Sequence, residues 1–186
     1  MPYKLEIKET EMFDDRTGRF VTVKPTTLSL EHSLISVSKW ESKYHIPFLD
    51  EKREMTGAEL DYYIQCMTIN PNVNPAVYAC ITPKQVEEIL EYIKNPMTAT
   101  WFGAKNNKRK GFGYGREIIT SELIYGWMVS YGVPAEYEKW HLNRLLTLLQ
   151  VCNEQNTPPK KMSKNDIIRD NDAINAARRA AMHSRG

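Results

Sequence analysis

The sequence predicts a mostly α-helical fold with an N-terminal β-hairpin, an α+β class with a helical body and a C-terminal helical arm. Three observations lead to this prediction. Apolar and polar residues alternate near the N-terminus, several later helix starts carry capping signatures, and a Pro-Pro pair interrupts the chain at 158–159. We therefore predict a β-hairpin at 1–30 packed on the body, a helical body at 31–156, and a basic helical arm at 157–186.

The N-terminal hairpin is predicted from a period of two residues. Leu5 and Ile7 alternate with charged residues, and the stretch 14–18 (Asp-Asp-Arg-Thr-Gly) has the composition of a turn. Two further extended segments follow, with Pro25 marking a bulge or an edge: 20–23 and 27–30. Because a two-stranded hairpin is only marginally stable alone, we expect it to pack on the helices that follow.

The period changes to that of a helix after residue 30. Residues 31–44 are predicted to form a helix that Pro47 stops. Capping boxes predict two more helix starts, one at Thr56–Glu59 and one at Thr82–Gln85, where Pro83 occupies the first helical position. A third, acid-closed version at Ser163–Asp166 predicts the helix of the arm.

Two long helices are predicted at the centre of the body. Wide apolar faces mark residues 117–131 and 134–153, and Gly132 separates them. The short joint predicts an antiparallel helical hairpin, and any apolar seam left exposed on it would favour self-association. Three tryptophans fall on predicted helices and are expected in the core: Trp40, Trp127 and Trp140.

Composition limits the classes of protein that this chain can belong to. It has 186 residues, 41% hydrophobic and 26% charged, as expected of a globular protein. No apolar run approaches the roughly 18 residues of a membrane span, and the N-terminus lacks the pattern of a secretory signal. Three widely spaced cysteines indicate reduced thiols in a cytosol. The net charge is only +2, but the arm carries seven Lys and Arg against three Asp.

A search for chemistry in the sequence finds no convincing catalytic site. The best candidate is the glycine-rich stretch 111–115, which could bind an anion but lacks the spacing of a nucleotide-binding motif. The four histidines do not pair with each other or with cysteines at metal-ligand spacing, and His141 is expected to be a core histidine. We therefore predict a binding protein that is not an enzyme, with no catalytic residue, no metal and no cofactor.

Candidate partner-binding residues lie in a basic, aromatic loop and in the arm. Trp101 and Phe102 are adjacent large aromatics beside that loop, a composition found at interfaces, although anchoring of the loop on the core explains them equally well. The loop itself contributes Lys108, Arg109, Lys110, Phe112 and Tyr114. The thinly apolar arm contributes Ile167, Ile168, Ile174, Arg178 and Arg179. These cations also suit nucleic acid, but an isoelectric point of about 8.3 and the lack of any nucleic-acid motif argue against that partner.

Five stretches of the chain together resemble a known group of proteins. They are 33–43 (Ser-Leu-Ile-Ser-Val-Ser-Lys-Trp-Glu-Ser-Lys), 96–100 (Pro-Met-Thr-Ala-Thr), 116–125, 139–145 (Lys-Trp-His-Leu-Asn-Arg-Leu) and 158–163. Their combination resembles the small proteins encoded in the tail-gene clusters of long-tailed bacteriophages that are described as tail assembly chaperones. The resemblance spans nearly the whole chain.

The resemblance implies a non-enzymatic role in the cytoplasm of the host cell. Such chaperones bind the tape-measure protein and recruit subunits of the major tail protein while the tail tube polymerises. Two alternatives stay open from the sequence: a structural virion protein of the tail or the head–tail joint, and a nucleic-acid-binding accessory protein.

Overall fold

The computed structural model describes residues 2–14, 18–50, 52–100 and 118–156, together with four positions of the arm: 168, 171, 172 and 175. The chain divides into two compact units, residues 1–153 and residues 154–186. The first unit combines an antiparallel hairpin with helices, so the predicted α+β class is confirmed. In the second unit, the four described positions of the arm are helical.

The N-terminal region is a long antiparallel hairpin, as predicted, but its ladder is interrupted. The inner strands β2 and β3 pair with each other across the turn, and the outer strands β1 and β4 pair with each other. Pro25 lies in the interruption between β3 and β4, where its missing N–H removes no ladder bond. The strands are β1 (Tyr3–Ile7), β2 (Thr10–Asp14), β3 (Arg19–Val23) and β4 (Thr26–Leu30).

Both edges of the β1–β4 pair are bonded to side-chain amides. Asn70 accepts from the backbone N–H of Ser29 through Oδ1 (2.6 Å) and donates from Nδ2 to the carbonyl of Thr27 (3.2 Å). Its side chain thus bonds to β4 as a peptide group of a neighbouring strand would. On the other edge, Gln85 Nε2 donates to the carbonyl of Glu6 (2.9 Å).

Six α-helices and one 3-10 helix follow the hairpin in the described residues. The α-helices are α1 (Leu34–Tyr44), α2 (Gly57–Met67), α3 (Ala76–Ala79), α4 (Pro83–Lys94), α5 (Ser121–Ser130) and α6 (Leu142–Asn156). The 3-10 helix (Ala135–Lys139) lies between α5 and α6. No helix of these described segments is both long enough and apolar enough to cross a membrane.

The predicted capping boxes are confirmed at α2 and α4. In each case the threonine hydroxyl accepts from the third helical N–H, and the residue at that position bonds back to the threonine N–H. Pro83 occupies the first turn of α4, as predicted. The third predicted cap, at Ser163, lies outside the described residues.

The predicted bounds of two helices are corrected. Helix α1 begins at Leu34 rather than residue 31, because the Ser33 side chain caps it and Ser36 Oγ donates to the carbonyl of Glu31. Helix α5 begins at Ser121 rather than residue 117, with Thr120 as its N-cap. In both cases a side-chain hydroxyl accepts from a free N–H group of the first turn, and this cap marks the residue at which the helix begins.

The predicted continuous helix over 134–153 is wrong. A 3-10 helix occupies its first residues, and Trp140 then adopts an extended conformation (φ −69°, ψ 157°) before α6 begins. The prediction that a short joint directly connects two long helices is therefore also wrong, because the 3-10 helix lies between α5 and α6. The break allows His141 to form a β-bridge with Ser33, and Leu142 N–H to donate to the His32 carbonyl (2.8 Å). These distant bonds replace the local helical ones.

One hydrophobic core joins the hairpin to the helices of the first unit. Leu5, Leu28 and Leu30 from the strands are buried together with side chains from α1, α2, α4, α5 and α6. Trp40 is fully buried, as predicted, and its Nε1 donates to the carbonyl of Glu59 (3.0 Å). Trp127 is partly buried and packs against this core, whereas Trp140 is partly buried outside it, so the prediction of a core position is corrected for Trp140.

Candidate functional site

Most residues predicted to contact a partner lie outside the described residues, and they stay predictions. This applies to Trp101, Phe102, Lys108, Arg109, Lys110, Phe112, Tyr114, Ile167, Ile174, Arg178 and Arg179. The glycine-rich stretch 111–115 lies outside them as well. Ile168 is described: it is helical and 56% exposed.

A polar cleft of about 430 Å³ opens where three parts of the first unit meet. The start of α6 and the preceding 3-10 helix form one wall, α4 with the segment after it forms another, and Glu31 closes the third side. The volume falls within the roughly 300–1,000 Å³ typical of ligand sites. Four charged side chains line it: Glu31, Glu136, Lys139 and Arg144. Their formal charges cancel.

Trp140 forms a preorganised aromatic wall of the cleft. Its ring is stacked with that of Tyr137 (centroids 4.2 Å apart, planes at 13°), and the guanidinium of Arg144 lies 4.0 Å from its ring centroid. The two contacts hold an aromatic ring and a cation in fixed positions at the surface. The extended backbone at Trp140 places this side chain at the cleft, while the next residue points inward.

The opposite wall lies at the end of α4, and the side-chain amides of Asn143 on α6 and of Asn95 hold it in place. Asn143 Nδ2 donates to the carbonyls of Ile93 and Asn95, both at 2.9 Å. Asn95 Oδ1 in turn accepts from the N–H of Met97 (2.9 Å). Met97 has a φ of 50°, a left-handed conformation that non-glycine residues seldom adopt. These bonds hold Met97, which is partly exposed, at the rim of the cleft.

Two buried histidines lie at the cleft: His141 is one of its lining residues, and His32 contacts His141. The rings of His32 and His141 are 4.9 Å apart, and both residues are buried. His32 Nδ1 is hydrogen-bonded to the hydroxyl of Tyr63, and His141 Nε2 lies 3.0 Å from the backbone carbonyl of Tyr92. Because a carbonyl only accepts, Nε2 of His141 carries the proton, and its Nδ1 is left as an acceptor.

Burial keeps both imidazoles neutral. It lowers the pKa of His32 from 6.5 to about 3, and the neighbouring His141 lowers that pKa further. Burial also lowers the pKa of His141, against the opposing effect of the Tyr92 carbonyl. Nδ1 of His141 is the one buried side-chain nitrogen or oxygen that lacks a hydrogen-bond partner among the described residues. The predicted burial of His141 is confirmed, but only one of its two ring nitrogens has a hydrogen-bond partner among the described residues.

The cleft offers groups for binding. Its wall combines two carboxylates, two cations, and the apolar surfaces of Trp140 and Met97. Such a set can orient a ligand through hydrogen bonds and opposite charges. Over the ranges that the structure describes, no group of three or more His, Cys, Asp or Glu is placed to hold a metal ion.

A second exposed feature lies near the end of the hairpin. Phe13 and Phe20 face each other across β2 and β3 in an edge-to-face pair, 50% and 74% exposed. On helix α5, Val129 is 81% exposed. Large apolar side chains in such positions are typical of contact surfaces when they are grouped.

The cleft could not be predicted from the sequence, because its lining residues come from separate parts of the chain. The structure brings the start of α6 beside the segment that follows α4, where Asn143 Nδ2 donates to the Asn95 carbonyl. The mixture of apolar and polar residues in 139–145 was a usable signal, because Leu142 and Leu145 are buried while Trp140 and Arg144 line the cleft. Comparisons with protein-family models, curated protein sequences and solved structures found no match to this chain.

Proposed function

We propose that this chain is a non-enzymatic assembly chaperone for the tails of long-tailed bacteriophages. In this proposal it acts in the host cytoplasm, binds the tape-measure protein, and recruits subunits of the major tail protein. The observation that carries the proposal is the resemblance of five separate stretches of this chain to the tail assembly chaperones.

Exposed apolar side chains of the described residues are consistent with this role. A chaperone of a long helical client needs apolar surface that is free before the client arrives. The Phe13–Phe20 pair and Val129 offer such surface on the first unit, and Ile168 offers it on the arm. The pair is held on a hairpin whose other strands are anchored in the core, so it needs little ordering on binding.

Co-expression with the tape-measure protein of the same gene cluster tests the proposal. We expect the full chain to co-purify with that protein and to increase its soluble fraction. The double variant Phe13→Ser, Phe20→Ser removes the exposed aromatic surface, and we expect it to reduce the recovered client several-fold. The matched control, Arg19→Ser, changes an exposed residue of the same strand pair and should leave recovery unchanged. Failure of the unmodified chain to bind or solubilise the client would refute the proposal.

Two measurements separate this proposal from the alternatives. Mass spectrometry of purified virions should detect no stoichiometric amount of the chain, whereas a structural protein of the tail or head–tail joint would be present at fixed copy number. Titration with duplex DNA should show no specific complex. A DNA complex that weakens steeply with salt would support the nucleic-acid-binding alternative instead.

A further inference from the structure

The second arm of the hairpin, which consists of β3 and β4, has an outer edge that is covered along β4. The segment that follows α2 lies on this edge: Ile69 N–H donates to the Ser29 carbonyl (3.0 Å), and the Asn70 side chain bonds to Ser29 and Thr27. Pro25, which has no N–H, lies between this covered part and β3.

The register of the hairpin shows which backbone groups of β3 point to the same edge. The count of residues that pairs Ile7 with Thr26 also pairs Thr10 with Val23, so both ladders share one register. Inward and outward backbone groups alternate along an antiparallel strand. Since β4 turns the groups of its odd-numbered residues outward, β3 does the same with Arg19, Val21 and Val23. Among the described residues, these outward N–H and C=O groups have no hydrogen-bond partner.

An open edge of this kind is complementary to another extended strand. Its donors and acceptors alternate with the spacing of a strand backbone, and it is the part of a sheet on which a further strand adds. The β2–β3 ladder has only two strands, and such a ladder is marginally stable until more strands join it. The sequence of β3, Arg-Phe-Val-Thr-Val, has four strand-favouring residues out of five, so β3 is itself suited to be the added strand.

We propose that two copies of this chain pair through β3, antiparallel about a two-fold axis at Val21. In this register Val21 lies opposite Val21 of the second copy, Phe20 lies opposite Thr22, and Arg19 lies opposite Val23. No two charged side chains of β3 face each other, and pairs of aromatic and β-branched side chains stabilise a sheet. A contact between identical strands about a two-fold axis is complete with two copies, so it does not continue into a fibre.

The pairing joins the exposed rings of the two hairpins without covering them. Phe13 and Phe20 lie opposite each other on one face of the ladder, and Phe20 is 74% exposed. In the resulting four-stranded sheet, the Phe20 residues of the two copies share that face at a diagonal distance of about 7–8 Å, which aromatic side chains can span. The dimer therefore presents four phenylalanine rings side by side. This inference goes beyond the tail-chaperone function and does not depend on it.

Sedimentation velocity of the full chain tests the pairing. The contact is small, with five residues from each copy, so we expect a dissociation constant on the order of 10 µM and a monomer that converts to a dimer over about a hundredfold range of concentration. Val21→Pro removes an outward N–H and no bond of the β2–β3 ladder, so it should stay monomeric with a melting temperature within a few degrees. Met12→Pro is the matched control, because Met12 pairs with Val21 but turns its groups to the opposite edge; this variant should still dimerise.

Single cysteine substitutions test the register. Val21→Cys places two thiols directly opposite each other, with Cα atoms about 5.5 Å apart, a separation that a disulfide can bridge. Mild oxidation should therefore convert this variant to a covalent dimer. Arg19→Cys places the two thiols four strand positions apart, about 13 Å, so it should not crosslink. The unmodified chain, with its three cysteines, gives the background.

Three results would each overturn the inference: a chain that stays monomeric over the whole range, a dimer that Val21→Pro retains, or crosslinking of Arg19→Cys as fast as that of Val21→Cys. If Val21→Pro does not fold, the two cysteine variants decide. A dimer in this register, found while the tape-measure protein does not co-purify, would support the inference and refute the tail-chaperone function. A monomeric chain that co-purifies with that protein would do the reverse.

Discussion

The carboxylate of Glu41 accepts a hydrogen bond from the backbone N–H of Ser121, 80 residues later in the chain (2.7 Å). Its other oxygen accepts from the N–H of Phe48 (2.8 Å). Ser121 is the first residue of α5, so a buried side chain of α1 satisfies a free donor at the start of a distant helix. Glu41 therefore ties two helices and one loop together.

Replacing Glu41 should destabilise the fold more than replacing an exposed glutamate. We expect Glu41→Ala to lower the free energy of unfolding by about 3 kcal/mol, because one buried and one partly buried N–H group lose a charged acceptor. Glu41→Gln should cost about 2 kcal/mol, since its amide presents a donor where both neighbours already donate. Urea denaturation measures these values, and Glu87→Gln, on the exposed face of α4, is the control. Equal stability of Glu41→Gln and the unmodified chain would contradict the assigned bonding.

Stability should fall in mild acid because His32 is buried in its neutral form. Its folded pKa is about 3, below the value of about 6.5 expected in the unfolded chain. Its contribution is therefore complete above pH 6.5 and is lost progressively as the pH falls from 6.5 towards 3. At pH 5 this loss is about 2 kcal/mol, and the lowered pKa of the neighbouring His141 adds to it in the same direction.

Denaturation between pH 7.5 and pH 5 compares the unmodified chain with two variants. His32→Asn removes the titrating ring and keeps a polar group near Tyr63, so its pH dependence should be flatter by about one proton. The control is His45→Asn, an exposed position with a φ of 56° that asparagine tolerates. The prediction fails if His32→Asn and the unmodified chain lose stability in parallel over this range.

The cap of α4 gives a prediction of local stability. Thr82 is exposed, and its side chain bonds within its own capping box with Gln85. Thr82→Ala should therefore reduce stability by about 1 kcal/mol, and Thr82→Ser should retain most of it. Thermal or urea unfolding distinguishes the two, and equal losses would show that the hydroxyl does not act as the cap.

Gly126 of helix α5 occupies a position that does not require glycine. A Cβ added at Gly126 would meet no atom within 4 Å, and the residue lies in the middle of an exposed helical face. Gly126→Ala should raise stability by about 0.5–1 kcal/mol. Gly132→Ala is the matched contrast, because Gly132 also has open space but a φ of 65°, and alanine there should cost about 1 kcal/mol. A loss of stability in Gly126→Ala would argue that the space is occupied.

Local chemistry accounts for what the sequence predicted correctly. The capping boxes at Thr56 and Thr82 involve residues three apart, so they can be recognised without knowledge of the fold. The alternation of Leu5 and Ile7 likewise predicts a strand because one face of the hairpin is buried.

Distant bonds account for what the sequence could not predict. The apolar spacing over 134–153 suits a helix, yet Trp140 is extended because its neighbours bond to residues near position 32. The cleft shares this origin, since Glu31, Met97 and Arg144 come from separate parts of the chain. Trp140, expected in the core, is thus a partly buried wall of the cleft.

The side chains of Asn70 and Gln85 bear on how the molecule behaves at high concentration. A sheet edge with free N–H and C=O groups is a template on which a strand of another molecule can polymerise. Asn70 occupies such groups on β4, and Gln85 occupies one on β1. These two amides therefore oppose the pairing of a further strand with the β1–β4 pair. A strand of another molecule would have to displace these side chains before it could pair with the backbone groups that they occupy.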